Sequence, residues 1–79
     1  MENLKRYNQI FAEILGLDEE ELHSAEYKKS EQWDSVGHMS LISALEEDFN
    51  IMFDPDDIMD FTSYDKGIQI MQNNYHISF

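Results

Sequence analysis

Ser35, the three histidines and the aspartates near residue 60 are the residues whose chemistry would be consequential. Ser35 stands between Asp34 and Val36, where an apolar periodicity begins. No base accompanies it in the sequence, so it is not set up as a nucleophile of its own. His23, His38 and His76 are scattered, and none forms a metal-spaced pair. Residues 54–65 make a twelve-residue stretch with Asp54 and Asp56 at its first and third positions, as a calcium loop would have. The coordination pattern then fails at Ile58, at Met59 in place of glycine, and at Asp65 in place of glutamate. No metal site is expected beyond loose counterion binding. With no cysteine, a disulfide framework, a thiolate zinc site and a cysteine nucleophile are excluded.

What surrounds Ser35 is acid. The 79 residues carry 5 Lys plus Arg against 17 Asp plus Glu, a formal charge of −12. Between Lys29 and Lys66 there is no cation. Residues 30–65 hold ten acids: Glu31, Asp34, Glu46, Glu47, Asp48, Asp54, Asp56, Asp57, Asp60 and Asp65. Such a surface repels nucleic acid and anionic membranes. It serves solubility in general, and it also steers encounters with basic partners. The chain shows no basic-then-apolar leader and no apolar run long enough to span a bilayer, so a cytoplasmic location is expected.

The elements that must position Ser35 read as helices. Leu4, Tyr7, Phe11 and Ile14, widened by Ile10 and Leu15, predict an amphipathic helix over 3–15, stopped by Gly16. Asp18 and Glu21 match a capping box for a short turn through Leu22. Residues 23–33 have no clear period and read as a loop pinned by Tyr27 and Trp33. A second helix starts at Asp34 or Ser35 and ends at Phe49, with Asn50 as its stop. Phe53 follows as an apolar plug. Asp54-Pro55 opens a third, short helix whose Ile58 and Phe61 face inward. Thr62 with Asp65 matches a capping box for a fourth helix, with Tyr64, Ile68, Met71 and Tyr75 as its core stripe. One domain is expected over 1–79: an all-α, small four-helix bundle of three longer helices and one short one.

Sorting the second helix at ~100° per residue divides its faces. His38, Leu41, Ile42 and Phe49 fall within roughly 60° of Leu45 and form the core side. His38 is expected to pack near Trp33 with a hydrogen-bond partner, with contact to groups at Ser35 as the functional alternative. Val36 and Met39 fall about 180° and about 120° away, beside Ser40, Ser43, Glu46 and Glu47. A small apolar centre with a charged rim is the anatomy of a transient interface.

Asp34-Ser35-Val36, opening a helix that closes on Leu45-Glu46-Glu47-Asp48-Phe49, resembles the acyl carrier protein family. The resemblance runs firmly from Trp33 to Ile70 and more loosely over the first helix. It implies that Ser35 is the attachment point of 4′-phosphopantetheine, transferred from coenzyme A by a phosphopantetheinyl transferase. It implies that Asp34 helps to engage that transferase besides capping the helix. The arm's thiol would carry acyl groups as thioesters, delivered by an acyl- or aminoacyl-loading ligase and passed to downstream acyl-processing enzymes. The chain would be a carrier and not an enzyme, and a monomer. Val36, Met39, Ser43, Glu46 and Glu47 become the docking residues. A bundle interior that shelters the acyl chain would be lined by Leu41, Ile42, Leu45, Phe53, Ile58, Phe61 and Ile68.

Three departures from the family pattern are visible, of which the one at Ser40, a lost negative contact, bears on the match to fatty-acid-synthesis partners. Val36 replaces the usual leucine, Ser40 stands where the family commonly has an acid, and Asp54-Pro55 reverses a frequent order. The stretch around Ser35 looks more like stand-alone carriers of specialised pathways than the carrier of fatty-acid synthesis. Asp-Ser-x-Gly is also similar to aminoacyl carriers of the D-alanyl type. The remaining alternative is an unmodified acidic interaction module in which Ser35 only caps a helix.

Overall fold

The computed structural model describes residues 2–27 and 33–79. The part of the expected loop at residues 28–32 lies outside the described residues. Four helices follow one another: α1 (Glu2–Leu15), α2 (Ser35–Phe49), α3 (Pro55–Asp60) and α4 (Tyr64–Tyr75), with a 3-10 helix (Glu19–Ser24) between α1 and α2. The expected all-α bundle is present, and the described residues contain no β-strand, only an isolated bridge.

Helix ends follow their residues. Gly16, at φ 64°, takes the left-handed conformation that closes α1. Asp18 and Glu21 form a capping box that opens the 3-10 helix. Asn50 closes α2 at φ 55°, ψ 50°, and its N–H returns to the Glu46 carbonyl. Pro55 occupies the first turn of α3, where its missing N–H costs nothing. The fourth helix corrects the expectation. Its cap is Ser63, whose hydroxyl accepts from the Lys66 N–H at 3.0 Å, and not Thr62. The Thr62 carbonyl instead accepts from the Tyr27 N–H at 2.8 Å. That bond belongs to an antiparallel bridge between Glu26 and Ser63, which ties the chain after the 3-10 helix to the α3–α4 turn.

The core is aromatic. Tyr7, Phe11, Trp33, Phe61 and Tyr64 are almost wholly enclosed, with Leu15, Leu22, Leu41, Ile42, Leu45 and Met71 packed among them. Phe11 sits at the centre, edge-on to Trp33 and Tyr64 at 5.4 Å and stacked on Phe61 at 6.1 Å. Edge-to-face geometry of this kind adds to simple area burial. On α1, Tyr7, Phe11 and Leu15 carry the inner face, whereas Ile14 is exposed. On α4 the inner face is Tyr64, Gly67, Ile70 and Met71, while Ile68 and Tyr75 are half-buried, so the helix is turned from the expected stripe. Gly67 explains the turn: a Cβ there would overlap the Phe61 ring and the Tyr7 hydroxyl. The helix approaches so closely only because the side chain is absent. The Tyr7 hydroxyl donates to the Tyr64 carbonyl at 2.7 Å, fixing α1 to α4.

Phe49, placed on the core side of α2, is half-buried. The Arg6 guanidinium stands 4.7 Å over its ring, and Phe79 packs against it at 6.3 Å. Arg6 also pairs with Asp48 at 2.8 Å, joining α1 to the end of α2. Phe53 closes the other side, edge-on to Phe61 at 5.8 Å and to Tyr75 at 5.1 Å.

Candidate functional site

Ser35 is the first residue of α2, because Asp34 caps it. The Asp34 backbone is extended, its carboxylate accepts from the Gly37 N–H at 2.8 Å, and its carbonyl accepts from the His38 N–H at 2.8 Å. These two bonds use the donors of Gly37 and His38. The N–H groups of Ser35 and Val36 precede the helical ladder and remain directed out of the helix start. The Ser35 side chain is exposed. A hydroxyl so placed stands at the positive end of the helix, where an anionic phosphodiester is favoured.

Behind Ser35 the first turn of α2 is locked from inside. His38 is buried, 6% exposed, and its ring makes two hydrogen bonds. Nδ1 accepts from the Trp33 indole N–H at 2.9 Å, and Nε2 faces the Ile58 carbonyl at 2.8 Å. An indole only donates and a carbonyl only accepts, so the imidazole is the neutral Nε2–H tautomer. This is the packed, hydrogen-bonded histidine that the helix phase predicted. It connects the loop before Ser35, the first turn of α2 and helix α3. Trp33, fully buried, is the anchor expected of it.

On the outside of α2, Ser35, Val36, Met39, Ser40, Ser43, Ala44 and Glu47 line one shallow, open depression. Val36 is 76% exposed and Met39 52%, both large apolar side chains outside the core. The structure therefore gathers five of the expected site residues, namely Ser35, Val36, Met39, Ser43 and Glu47, on one face, with Asp34 at its head. Glu46 is set apart. Its carboxylate turns toward the end of the helix and accepts from the Phe53 N–H at 2.8 Å, holding the α2–α3 turn. Asp48 is engaged by Arg6. Of the three consecutive acids, Glu47 is the one that borders the depression.

Leu41, Ile42, Leu45, Phe53 and Phe61, expected to line an acyl shelter, are buried in the core, and Ile58 and Ile68 pack against it. Sequence reasoning missed one neighbour of Ser35. The Tyr27 hydroxyl lies 3.3 Å from Ser35 Oγ, brought there by the bridge to the α3–α4 turn. Tyr27 falls in a stretch without periodicity, and its direction is set by that long-range pairing together with ring packing on His38 and Trp33. Among the described residues, no three His, Asp or Glu side chains gather as metal ligands, and no helix is long and apolar enough to cross a membrane.

The exposed primary hydroxyl, the outward N–H groups and the adjoining hydroxyl-lined face together fit a phosphodiester rooted on Oγ. No match is found among curated proteins. A family model for the phosphopantetheine attachment site covers residues 8–66, well over half of the chain and all of this site, and the chain belongs to that family.

Proposed function

We propose that Ser35 is the residue that takes the 4′-phosphopantetheine arm and that the chain carries acyl intermediates on it. Domains of this family bear the arm covalently and are carriers, not catalysts. The observation that supports Ser35 is its place: an exposed hydroxyl on the first residue of α2, inside the matched region. In the transfer, Ser35 Oγ attacks the pantetheine-side phosphorus of the coenzyme A pyrophosphate, its proton passes to a base on the transferase, and the P–O bond to the adenosine-side phosphate breaks, so that adenosine 3′,5′-bisphosphate leaves. Once bound, the arm supplies a terminal thiol that holds an acyl group as a thioester.

The residues of this chain have three tasks. Asp34 fixes the start of α2, so that Ser35 is presented on a rigid first turn, and its outer surface is the proposed contact for the transferase. Val36 and Met39 give the apolar centre of the docking face, with Ser43, Glu47 and, at its edge, Glu46 as the polar rim. The acidic stretch steers basic partners: the transferase, a loading ligase and downstream acyl-processing enzymes in the cytoplasm. The carrier acts as a monomer.

Gly37, which completes Asp-Ser-x-Gly, favours a second reading in which the cargo is an aminoacyl group; the holo form is then loaded by an aminoacyl ligase and not by an acyl ligase. Incubation with coenzyme A and a broad-specificity transferase tests the shared proposal. One phosphopantetheine mass is expected on the intact protein. No gain with any such transferase would leave an unmodified acidic interaction module; the cap expected of Ser35 in that reading is in fact Asp34, and Ser35 would be only the first residue of α2.

A further inference from the structure

Tyr27 is held more firmly than a loop residue needs to be. Its N–H donates to the Thr62 carbonyl at 2.8 Å, and its neighbour Glu26 pairs with Ser63 across the antiparallel bridge. Its ring lies 4.7 Å from the His38 imidazole, tilted by 37°, and presents an edge to Trp33 at 6.5 Å. His38 and Trp33 are themselves buried and bonded to each other. The phenol is thus aimed by three elements at once, and its hydroxyl arrives 3.3 Å from Ser35 Oγ.

We infer that Tyr27 is a positioning residue for the prosthetic arm: its hydroxyl donates a hydrogen bond to the phosphodiester on Ser35 and holds the root of the arm beside the Tyr27–His38 pair. The inference rests on the reading of Ser35 as the attachment residue. In the unmodified protein either hydroxyl can donate. At 3.3 Å the contact is longer than the ~2.7–2.8 Å optimum for two hydroxyls, so it is loosely made. Modification changes its chemistry. Ser35 Oγ loses its proton and becomes an ester oxygen, a poor acceptor, so the phenol is left as the donor of the pair. The non-bridging phosphate oxygens, two bonds beyond Oγ, carry the negative charge. A hydrogen bond to such an oxygen is charge-assisted and about twice as strong as a neutral one. Little freedom remains for the anchored phenol to lose on making it. Covering His38 requires only the ring, which phenylalanine supplies equally, and this separates packing from the proposed role.

Tyr27→Phe is the test, since it keeps the ring and removes the hydroxyl. Wild type and variant are both converted with coenzyme A and a permissive transferase, with intact mass to confirm one arm on each. The ³¹P resonance of the phosphodiester is then compared in the two holo proteins. It is expected to move by more than its linewidth, with the melting temperature of the unmodified variant close to that of the wild type. Superimposable ³¹P resonances in two fully modified proteins would overturn the positioning role and leave Ser35 as the attachment residue. Should the variant fail to fold, the wild-type holo protein decides alone. A nuclear Overhauser contact between the Tyr27 ring protons and the pantoyl methyl groups at the root of the arm is expected, and its absence overturns the inference. A wild type that gains no arm overturns both readings.

Discussion

Replacing His38 with leucine tests whether its two hydrogen bonds lock the first turn of α2. Leucine keeps an apolar side chain at a position only 6% exposed, so packing is largely preserved. What is lost is polar satisfaction. The indole N–H of Trp33, a residue with no exposed surface, would have no acceptor. A buried donor left unpaired costs about 1–3 kcal/mol. The Ile58 carbonyl loses its partner too, but Ile58 is only half-buried and water replaces part of that bond, for about 0.5–1 kcal/mol. Together His38→Leu should cost about 1.5–4 kcal/mol. A chain of this size is stable by roughly 4–12 kcal/mol, so a large fraction is at stake. The melting temperature should fall by roughly 6–30 °C. Urea unfolding of the unmodified protein, followed by helical circular dichroism, measures the loss with an unchanged slope. A double-mutant cycle with Trp33→Phe isolates the bond, because the second change removes the donor that the first one orphans. The pair should be less destabilised than the sum of the singles by about 1 kcal/mol or more. A loss below ~0.5 kcal/mol, or additivity within ~0.5 kcal/mol, would refute the lock.

Gly67→Ala should cost about 1–3 kcal/mol in urea unfolding, since the new methyl meets the Phe61 ring and the Tyr7 hydroxyl in a full core. Alkaline unfolding has a defined window. Burial, aided by its hydrogen bond to Asp57, raises the Tyr75 phenol from 10.0 to about 12, and burial holds Tyr7 well above its ordinary value. Both phenols are neutral in the folded chain and ionise more readily when unfolded. The Tyr75 contribution is therefore complete below pH 10 and lost as pH rises from about 10 toward 12, and that of Tyr7 is likewise lost only as pH rises above 10; tyrosinate absorbance should rise together with the loss of helix. Glu47→Lys should slow modification and loading without changing the melting temperature. Glu46→Lys should also lower the melting temperature, because its carboxylate holds the Phe53 N–H. Added salt should weaken the encounters of the wild type.

Local chemistry made much of this fold readable. Gly16, Asp34, Pro55 and Asn50 each act within a few residues of themselves, and each ends or begins a helix where its own conformational or capping preference dictates. The phase of α2 likewise put His38 inside and Val36 and Met39 outside, which located the candidate face. What resisted was set by distant partners. Thr62 has the spacing of a cap, but its carbonyl is engaged by Tyr27, and the cap is the next residue, Ser63, with the helix starting at Tyr64. Ile68 continues the α4 stripe on paper; the close approach at Gly67 rotates Ile70 inward instead. Glu46 and Glu47 are adjacent acids in the sequence, and only the fold of the α2–α3 turn gives one of them a structural bond. Tyr27 reaches Ser35 through a backbone pairing more than thirty residues away, which no local period signals.

The assignment of the arm to Ser35 is tested most directly by locating the added mass. Wild type, Ser35→Ala, Ser40→Ala and Ser43→Ala are each incubated with coenzyme A and one permissive transferase, and the products are weighed intact and after proteolysis. The three serines share one exposed helix face, so they differ in position along α2 more than in accessibility. One phosphopantetheine should appear on the wild type, Ser40→Ala and Ser43→Ala, always on the peptide that contains Ser35, and none on a folded Ser35→Ala. An arm retained by Ser35→Ala, or found on any other residue, would contradict the assignment.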